Sequence, residues 1–166
     1  MSFEKSIDKE IAEYIFLNTR NKVLNNLKFI DSDYFQKYFK RIFKNKNTIL
    51  AELLKYKKLI SLIKRNLVEE KNCSIIDLGG CHGYLSYLLS RYFDCKVIMV
   101  EPFEESVKNC EILWKNIKNN SVNFLNLNYK TLIPYLENNK TININYILSY
   151  DVIEHVGSIE DFFNYE

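Results

Sequence analysis

Two acids and a glycine-rich turn are the residues of this chain best placed to do chemistry. The apolar run 75–78 contains Asp77 and leads into the turn, and Glu101 closes the next apolar run, 24 residues after Asp77. The chain has only four glycines, and three of them lie in the segment 79–83. Such clustering indicates a local need for positive φ or for close approach of a ligand. A strand that passes through a tight turn into a helix is typical of the ligand-binding edge of an open α/β sheet.

The turn disfavours a dinucleotide ligand. An acid just before the first glycine would repel a pyrophosphate, and Tyr84 stands where the dinucleotide pattern needs its last glycine. The observed spacing is acid-x-Gly-x-Cys-x-Gly. It suits a ligand with both a cationic group and a carboxylate, because Asp77 can face the cation while backbone N–H groups of the next helix face the carboxylate. A nicotinamide oxidoreductase is therefore the least favoured function.

Hydrophobic periodicity predicts an α/β fold with a helical beginning. Residues 5–68 show helical spacing, and we interpret the aromatic stripe within 34–43 as core contacts. From residue 73, short apolar runs alternate with helical segments, which favours a parallel sheet covered by helices. The predicted strands are 73–78, 95–100, 122–127 and 142–149, and the predicted helices are 84–93, 104–118, 131–137 and one that begins near 158.

Five features together resemble the class I S-adenosylmethionine-dependent methyltransferases: Asp77, Gly79, Gly83, Glu101 and the segment 151–156, at matching intervals. The resemblance covers about the first half of that fold. It implies S-adenosylmethionine as cofactor, S-adenosylhomocysteine as product, and a Rossmann-like parallel sheet whose four visible strands follow the order 3-2-1-4.

The resemblance also implies a division of the chain. Residues 1–70 would form a helical amino-terminal subdomain or lid, and residues 71–166 a Rossmann-like cofactor-binding domain that is incomplete at its carboxyl end. The family fold normally continues through three more strands, so we expect a truncated sheet whose strand 142–149 forms an apolar edge. Further chain, a partner such as a second copy, or the amino-terminal helices would have to cover that edge.

The resemblance assigns roles to individual residues near the cofactor. Glu101 would accept hydrogen bonds from both ribose hydroxyls, since a carboxylate offers two acceptor oxygens to a vicinal diol. Asn128 would accept from the adenine amino group, or is only a turn residue. Leu127 and Phe103 would border the adenine ring, although Phe103 could equally be a core aromatic. The implied cofactor-binding set is Asp77, Gly79, Gly80, Cys81, Gly83, Glu101, Pro102, Phe103, Leu127, Asn128, Ser149 and Tyr150.

Two histidines receive different interpretations. The segment 154–156 reads Glu-His-Val, which resembles a segment of many small-molecule methyltransferases of this class. His155 would take a proton from the acceptor as the methyl group transfers, because its ordinary pKa of ~6.5 lies near neutrality; alternatively it only caps or packs a helix. His82 is expected to be a loop residue with its ring in solvent. Cys81 replaces the family's middle glycine, and cysteine resists positive φ. Either cofactor affinity falls or the loop takes a shape that cysteine allows.

Composition bounds the remaining possibilities. The 166 residues are 47% hydrophobic and 27% charged, which fits one globular domain. Net charge is only +2, but residues 1–72 hold 16 basic and 9 acidic side chains, whereas residues 73–166 hold 7 basic and 12 acidic ones. The four cysteines form no CxxC pair and no zinc-like array with the two histidines, so we expect reduced thiols, no metal and a cytoplasmic location. We see no membrane span or secretory signal in the sequence.

These observations predict a methyltransferase that acts on a small-molecule acceptor by O- or N-methylation. The basic first half would suit a phosphorylated or nucleotide-linked acceptor. One alternative is a cofactor-binding module without catalysis, or one that a partner chain completes. A further alternative is a nucleic-acid methyltransferase, which the basic helices allow, although the net charge is low and no nucleic-acid motif is visible.

Overall fold

The computed structural model describes residues 3–30, 32–66, 73–93, 95–114, 117, 121–140 and 143–152. Helices form the first part of the chain, and strands alternate with helices in the second. The helices are α1 (Phe3–Tyr14), α2 (Arg20–Asn26), α3 (Asp33–Ile42), α4 (Lys46–Asn66), α5 (Tyr84–Phe93), α6 (Glu104–Trp114) and α7 (Tyr129–Asn138). A π-helical turn, Ile15–Thr19, precedes α2, and a 3₁₀ turn, Leu27–Phe29, follows it. The strands are β1 (Ser74–Leu78), β2 (Lys96–Glu101), β3 (Val122–Asn126) and β4 (Tyr146–Ser149).

The four strands form one parallel sheet in the order β3-β2-β1-β4, which confirms the predicted Rossmann-like topology. Asp77 pairs with Met99 of β2, and Leu78 pairs with both Val100 and Ser149. This register brings the carboxyl ends of β1, β2 and β4 to one edge of the sheet. In open α/β sheets that edge is where ligands bind.

Helix boundaries follow local capping chemistry. Ser32 precedes α3, and its side chain accepts a hydrogen bond from the Phe35 N–H. Asn128 and Thr131 form a capping box at the start of α7. The sequence predicted this helix over 131–137, but the capping box starts it earlier, at Tyr129, and Pro134 lies inside it.

The helical part and the sheet share one hydrophobic core. Side chains of α1, α3 and α4 join those of β1, β2, α5 and α6 in a single buried cluster, and a smaller cluster around Ile76 and Leu132 covers the other face. Lys57 of α4 donates to Asp8 of α1 at 2.8 Å, which ties the two helices together. The division of the chain near residue 70 remains a prediction, but the two parts pack as neighbours.

The structure departs from two predictions here. Cys73 and Cys95 lie side by side where β1 and β2 begin, with Cα atoms 4.9 Å apart, and a disulfide joins them, so the expectation of four reduced thiols is wrong for this pair. The fourth strand is shorter than predicted and begins at Tyr146. Among the described residues it pairs only with β1, and Ile147 on this edge strand is 58% exposed.

Two features are absent from the part of the chain that the structure describes. None of the helices there is both long and apolar enough to cross a membrane. Within the same residues, no group of three His, Cys, Asp or Glu side chains could hold a metal ion.

Candidate functional site

A cleft of about 910 Å³ lies at the carboxyl ends of the strands, between the sheet and helices α3 and α4. It contains the glycine-rich loop and both predicted acids. Ten of the twelve residues predicted to bind a cofactor line it, whereas Gly83 and Ser149 do not. The ten are Asp77, Gly79, Gly80, Cys81, Glu101, Pro102, Phe103, Leu127, Asn128 and Tyr150.

Asp77 is a buried carboxylate at the floor of the cleft. Burial raises its pKa from 3.8 to about 7; the hydrogen bond from the Ser86 hydroxyl lowers the pKa, and the nearby charge of Glu101 raises it further. The effect of desolvation on the pKa is the largest, because the ionised carboxylate loses more hydration on burial than one hydroxyl can replace. A cation bound beside Asp77 would therefore stabilise the ionised form of this carboxylate.

Glu101 ends β2 and bridges two loops. Its Oε2 accepts the Cys81 N–H at 3.0 Å, and its Oε1 accepts the Phe103 N–H at 3.2 Å. Burial raises the pKa of Glu101, while the two backbone hydrogen bonds lower it. Each carboxylate oxygen carries a second lone pair, so the group can still accept hydrogen bonds from a ligand.

The loop between the two acids uses backbone conformations that favour glycine. Gly79 and Gly83 have φ of +69° and +72°, and the Gly79 N–H donates to the Val100 carbonyl at 2.7 Å. A Cβ on Gly80 would lie 2.7 Å from the Met99 sulfur, so no larger residue fits there without a shift. The loop can hold this shape only because these positions lack side chains.

Cys81 adopts φ of +49°, in the left-handed region that cysteine ordinarily avoids. Both of its backbone polar groups are engaged. Its N–H donates to Glu101, and its carbonyl accepts from the Cys110 thiol at 3.1 Å. Cys81 therefore takes the positive φ that it was expected to resist, so the expectation of a loop conformation suited to cysteine is not met, and reduced cofactor affinity stays a prediction.

Gly83 does not line the cleft; it allows the loop to pack closely against α6. A Cβ at this position would lie 2.7 Å from the Trp114 Nε1, and that same nitrogen donates to the His82 carbonyl at 2.8 Å. The absence of a side chain lets α6 approach the loop and anchor it. Gly83 is therefore a positioning residue for the cleft.

The prediction for His82 is wrong. We expected its ring in solvent, but the residue is 1% exposed and is surrounded by the rings of Tyr38, Phe39, Tyr56 and Tyr84. Burial, with a smaller contribution from Lys55, lowers its pKa to about 3. The Tyr84 N–H donates to its Nδ1 at 3.4 Å, so the proton of the neutral ring lies on Nε2, 3.3 Å from the Tyr38 hydroxyl.

The side of the cleft next to β2 and β3 has an aromatic contact and a helix cap. Phe103 is 51% exposed, and its ring centroid lies 5.1 Å from that of Phe35 in α3, so it lines the cleft and is not a core aromatic. The side-chain oxygen of Asn128 accepts the Thr131 N–H at 3.0 Å and the Thr131 hydroxyl at 3.3 Å. The oxygen predicted to accept from adenine is thus already used as a cap, which favours the turn interpretation of Asn128.

The side of the cleft next to β4 is formed by Tyr150 and Asp151. The Tyr150 ring lies 6.0 Å from that of Tyr56 in α4, and Asp151 has φ of +55°. Ser149 is exposed on the edge strand and does not line the cleft. The predicted base, His155, lies outside the described residues.

The helical part also contributes residues that sequence reasoning missed. Tyr34, Tyr38 and Arg41 of α3 line the cleft, together with Lys55 and Tyr56 of α4. We predicted that the aromatic stripe within 34–43 would be core, but Tyr34 is 67% exposed. Helical spacing identified an aromatic face, and nothing in it distinguished burial against the sheet from exposure to a cleft.

Comparisons with known proteins agree with this fold. No protein-family model matches the chain, and no curated protein matches it. Among solved structures, a point mutant of MtNAS in complex with S-adenosylmethionine matches with a TM-score of 0.53, 12% identity, and coverage of 97% of this chain and 55% of that one. This likeness supports the fold, and the identity is too low to carry the activity across.

Two further structures show weaker likeness. Magnesium protoporphyrin IX methyltransferase (ChlM) from Synechocystis PCC 6803 with bound SAM matches with a TM-score of 0.49, 15% identity, and coverage of 90% of this chain and 64% of that one. The bifunctional kinase-methyltransferase WbdD matches with a TM-score of 0.44, 17% identity, and coverage of 63% and 21%. The chain thus spans less than two thirds of each of these proteins.

Proposed function

We propose that the cleft binds S-adenosylmethionine and that the chain is a methyltransferase acting on a small-molecule acceptor by O- or N-methylation. The observation that carries the proposal is the placement of Asp77 and Glu101. They lie at the tips of adjacent parallel strands, both buried and both lining one cleft, with the glycine-rich loop between them. A phosphorylated or nucleotide-linked acceptor is part of the same proposal.

The residues present fit this cofactor. Glu101 has free lone pairs for two ribose hydroxyls even after it has accepted two backbone N–H groups. Gly79 and Gly80 present backbone without a Cβ, which permits close approach of a ligand. The Phe103 ring is exposed to the cleft and offers an apolar face for a flat base.

S-adenosylmethionine supplies a methyl group already activated by its sulfonium charge. The chain then has to hold the reactants in line and exclude water. Asp77 would balance positive charge at the floor of the cleft, and the tyrosines of α3 and α4 would wall off solvent. His155 remains the proposed base for an acceptor hydroxyl or amine. His82 is unsuited to that task, because burial lowers its pKa to about 3.

Calorimetric titration with S-adenosylhomocysteine, S-adenosylmethionine and NAD tests the proposal directly. We expect both adenosyl sulfur compounds to bind and NAD to bind far more weakly, because Asp77 opposes a pyrophosphate. Acceptor-dependent release of S-adenosylhomocysteine would then establish the reaction. Failure of the wild-type chain to bind either sulfur compound would refute the proposal.

A matched pair of variants locates the site. Glu101→Gln should weaken S-adenosylhomocysteine binding by roughly tenfold or more, since charge-assisted hydrogen bonds are each worth about 1.5–3 kcal/mol. Glu104→Gln makes the same chemical change at an exposed residue of α6, paired with Lys108. Equal loss of binding in both variants would count against the assigned role of Glu101.

One observation favours the alternative of a module completed by a partner. The edge strand β4 exposes Ile147, and exposed apolar strand edges favour pairing with another chain. Light scattering coupled to size-exclusion chromatography tests it, because an active monomer would contradict it.

A cytoplasmic location remains a prediction.

A further inference from the structure

The end of the cleft formed by the helices carries two cationic side chains. The guanidinium of Arg41 lies 5.3 Å from the centre of the Tyr38 ring. The ammonium of Lys55 lies 5.1 Å from the Tyr56 ring and 5.7 Å from the Tyr150 ring. Both cations line the cleft. Cation–π contacts hold such side chains in place without neutralising their charge.

The two tyrosines bring these cations to one place. The rings of Tyr38 and Tyr56 both pack against His82, with centroids 6.0 and 5.5 Å from that of the imidazole, so the rings beneath Arg41 and Lys55 belong to one aromatic cluster between α3 and α4. Burial raises the pKa of both hydroxyls well above its ordinary value. The tyrosines therefore stay neutral near pH 7 and add hydrogen-bond donors to a cationic surface.

Carboxylates nearby leave this charge only partly balanced. Asp151 lies 3.9 Å from the Lys55 ammonium, and both side chains are about half exposed, which makes this a weak ion pair. Glu52 adds a negative charge to the surroundings of Tyr38 and Tyr56. Among the described residues, none of the salt bridges involves Arg41.

We propose that Arg41 and Lys55 form a subsite for an anionic group, a carboxylate or a phosphate, on the methyl acceptor. The inference rests on the proposed function of the cleft. Arginine and lysine are the side chains that bind such anions, and arginine can do so with two parallel hydrogen bonds. Lys55 contacts Tyr150 and Asp151, which follow β4, on the opposite side of β1 from Glu101. The subsite thus lies away from the acid that would hold the ribose.

The experiment uses the full chain saturated with S-adenosylhomocysteine and three probes of similar size. These are 4-hydroxybenzoate, phenyl phosphate and the neutral 4-hydroxybenzamide, titrated by calorimetry at low ionic strength. We expect at least one anion to bind roughly tenfold more tightly than the amide, as a charge-assisted contact predicts. The better of the two anions identifies a carboxylate or a phosphate acceptor.

Variants then assign that preference to the two residues. The double variant Arg41→Gln, Lys55→Gln should lose the preference for the anion. The control variant Lys37→Gln should retain it, because Lys37 is an exposed residue of α3 that pairs with Asp33. Affinity for S-adenosylhomocysteine should be unchanged in all variants, which shows that the double variant is folded.

Three results would overturn the inference. The first is equal binding of anionic and neutral probes to the wild-type chain, and the second is an anion preference that survives in the double variant. The third is a double variant that loses affinity for S-adenosylhomocysteine but not for methylthioadenosine, because the pair would then hold the cofactor's own carboxylate. A wild-type chain that fails to bind S-adenosylhomocysteine would instead refute the proposed function.

Discussion

Asp77→Asn should make the folded protein more stable at neutral and alkaline pH while it weakens cofactor binding. The carboxyl of Asp77 is buried, and burial raises its pKa from 3.8 to about 7. Asparagine has nearly the same shape, and its carbonyl oxygen can still accept the Ser86 hydroxyl. The substitution therefore removes the cost of a buried charge and keeps the hydrogen bond.

The sign and size follow from proton linkage. Below about pH 4 the folded and unfolded chains both hold the Asp77 proton, so wild type and variant should differ little. Between about pH 4 and pH 7 only the folded chain keeps it, and the wild-type free energy of unfolding falls as pH rises. Each whole step in pKa corresponds to about 1.4 kcal/mol, so the advantage of the variant should level off above pH 7 at no more than about 4 kcal/mol.

Urea unfolding followed by the fluorescence of Trp114, the one tryptophan in the chain, measures this difference. The variant should gain most at about pH 8 and least at about pH 5. Asp33→Asn, which removes an exposed carboxylate from the first turn of α3, is the control. A gain that does not change with pH, or a loss of stability at pH 8, would refute the reasoning about burial.

Binding should change in the opposite direction. A sulfonium near Asp77 favours the ionised carboxylate, so wild-type affinity for S-adenosylmethionine should rise as pH passes through about 7. The Asp77→Asn variant should bind more weakly and show no such rise. Calorimetry across this range would separate the two, and identical pH profiles would place the positive charge of the ligand away from Asp77.

Two further predictions concern the anchoring of the loop. Gly83→Ala should destabilise the fold by about 2 kcal/mol or more, because φ is +72° and the new Cβ would lie 2.7 Å from the Trp114 ring nitrogen; urea unfolding checks this, and a change within about 0.5 kcal/mol would contradict it. Trp114→Phe should cost about 1–3 kcal/mol, since the buried His82 carbonyl loses its 2.8 Å donor. Thermal unfolding monitored by circular dichroism measures that loss, and unchanged stability would mean that the hydrogen bond contributes little.

Local sequence patterns predicted the parts of the site that local rules determine. The helix 84–93 has the predicted boundaries, because it starts directly after Gly83 and keeps its helical spacing throughout. Asp77 lies one residue before the end of β1 and Glu101 ends β2, and parallel strands bring their carboxyl ends to one edge, so local patterns suffice to place both acids there. Gly79 takes the positive φ that its position in a tight turn suggested.

Features that depend on distant pairing could not be read from the same patterns. The bond between Cys73 and Cys95 needs the register of two strands, which sequence spacing does not give. Asn128 could be a ligand contact or a cap, and only the position of Thr131 in a formed helix shows that its side chain caps α7. The cleft-facing role of Arg41 depends on how α3 packs against α4 and against the loops that follow β1 and β2.

The burial of His82 links the helical part to the proposed cofactor loop. Its carbonyl is held by Trp114 of α6, and its ring packs against Tyr38 of α3 and Tyr56 of α4. The neighbouring Cys81 donates its N–H to Glu101, so one short loop connects α3, α4, α6 and the tip of β2. Packing of the first two of these helices therefore helps to fix the loop conformation that exposes the acids to the cleft. The helical part is accordingly a wall of the cleft, because three of the four rings around His82 belong to α3 and α4, and without them the imidazole would lose most of the contacts that bury it.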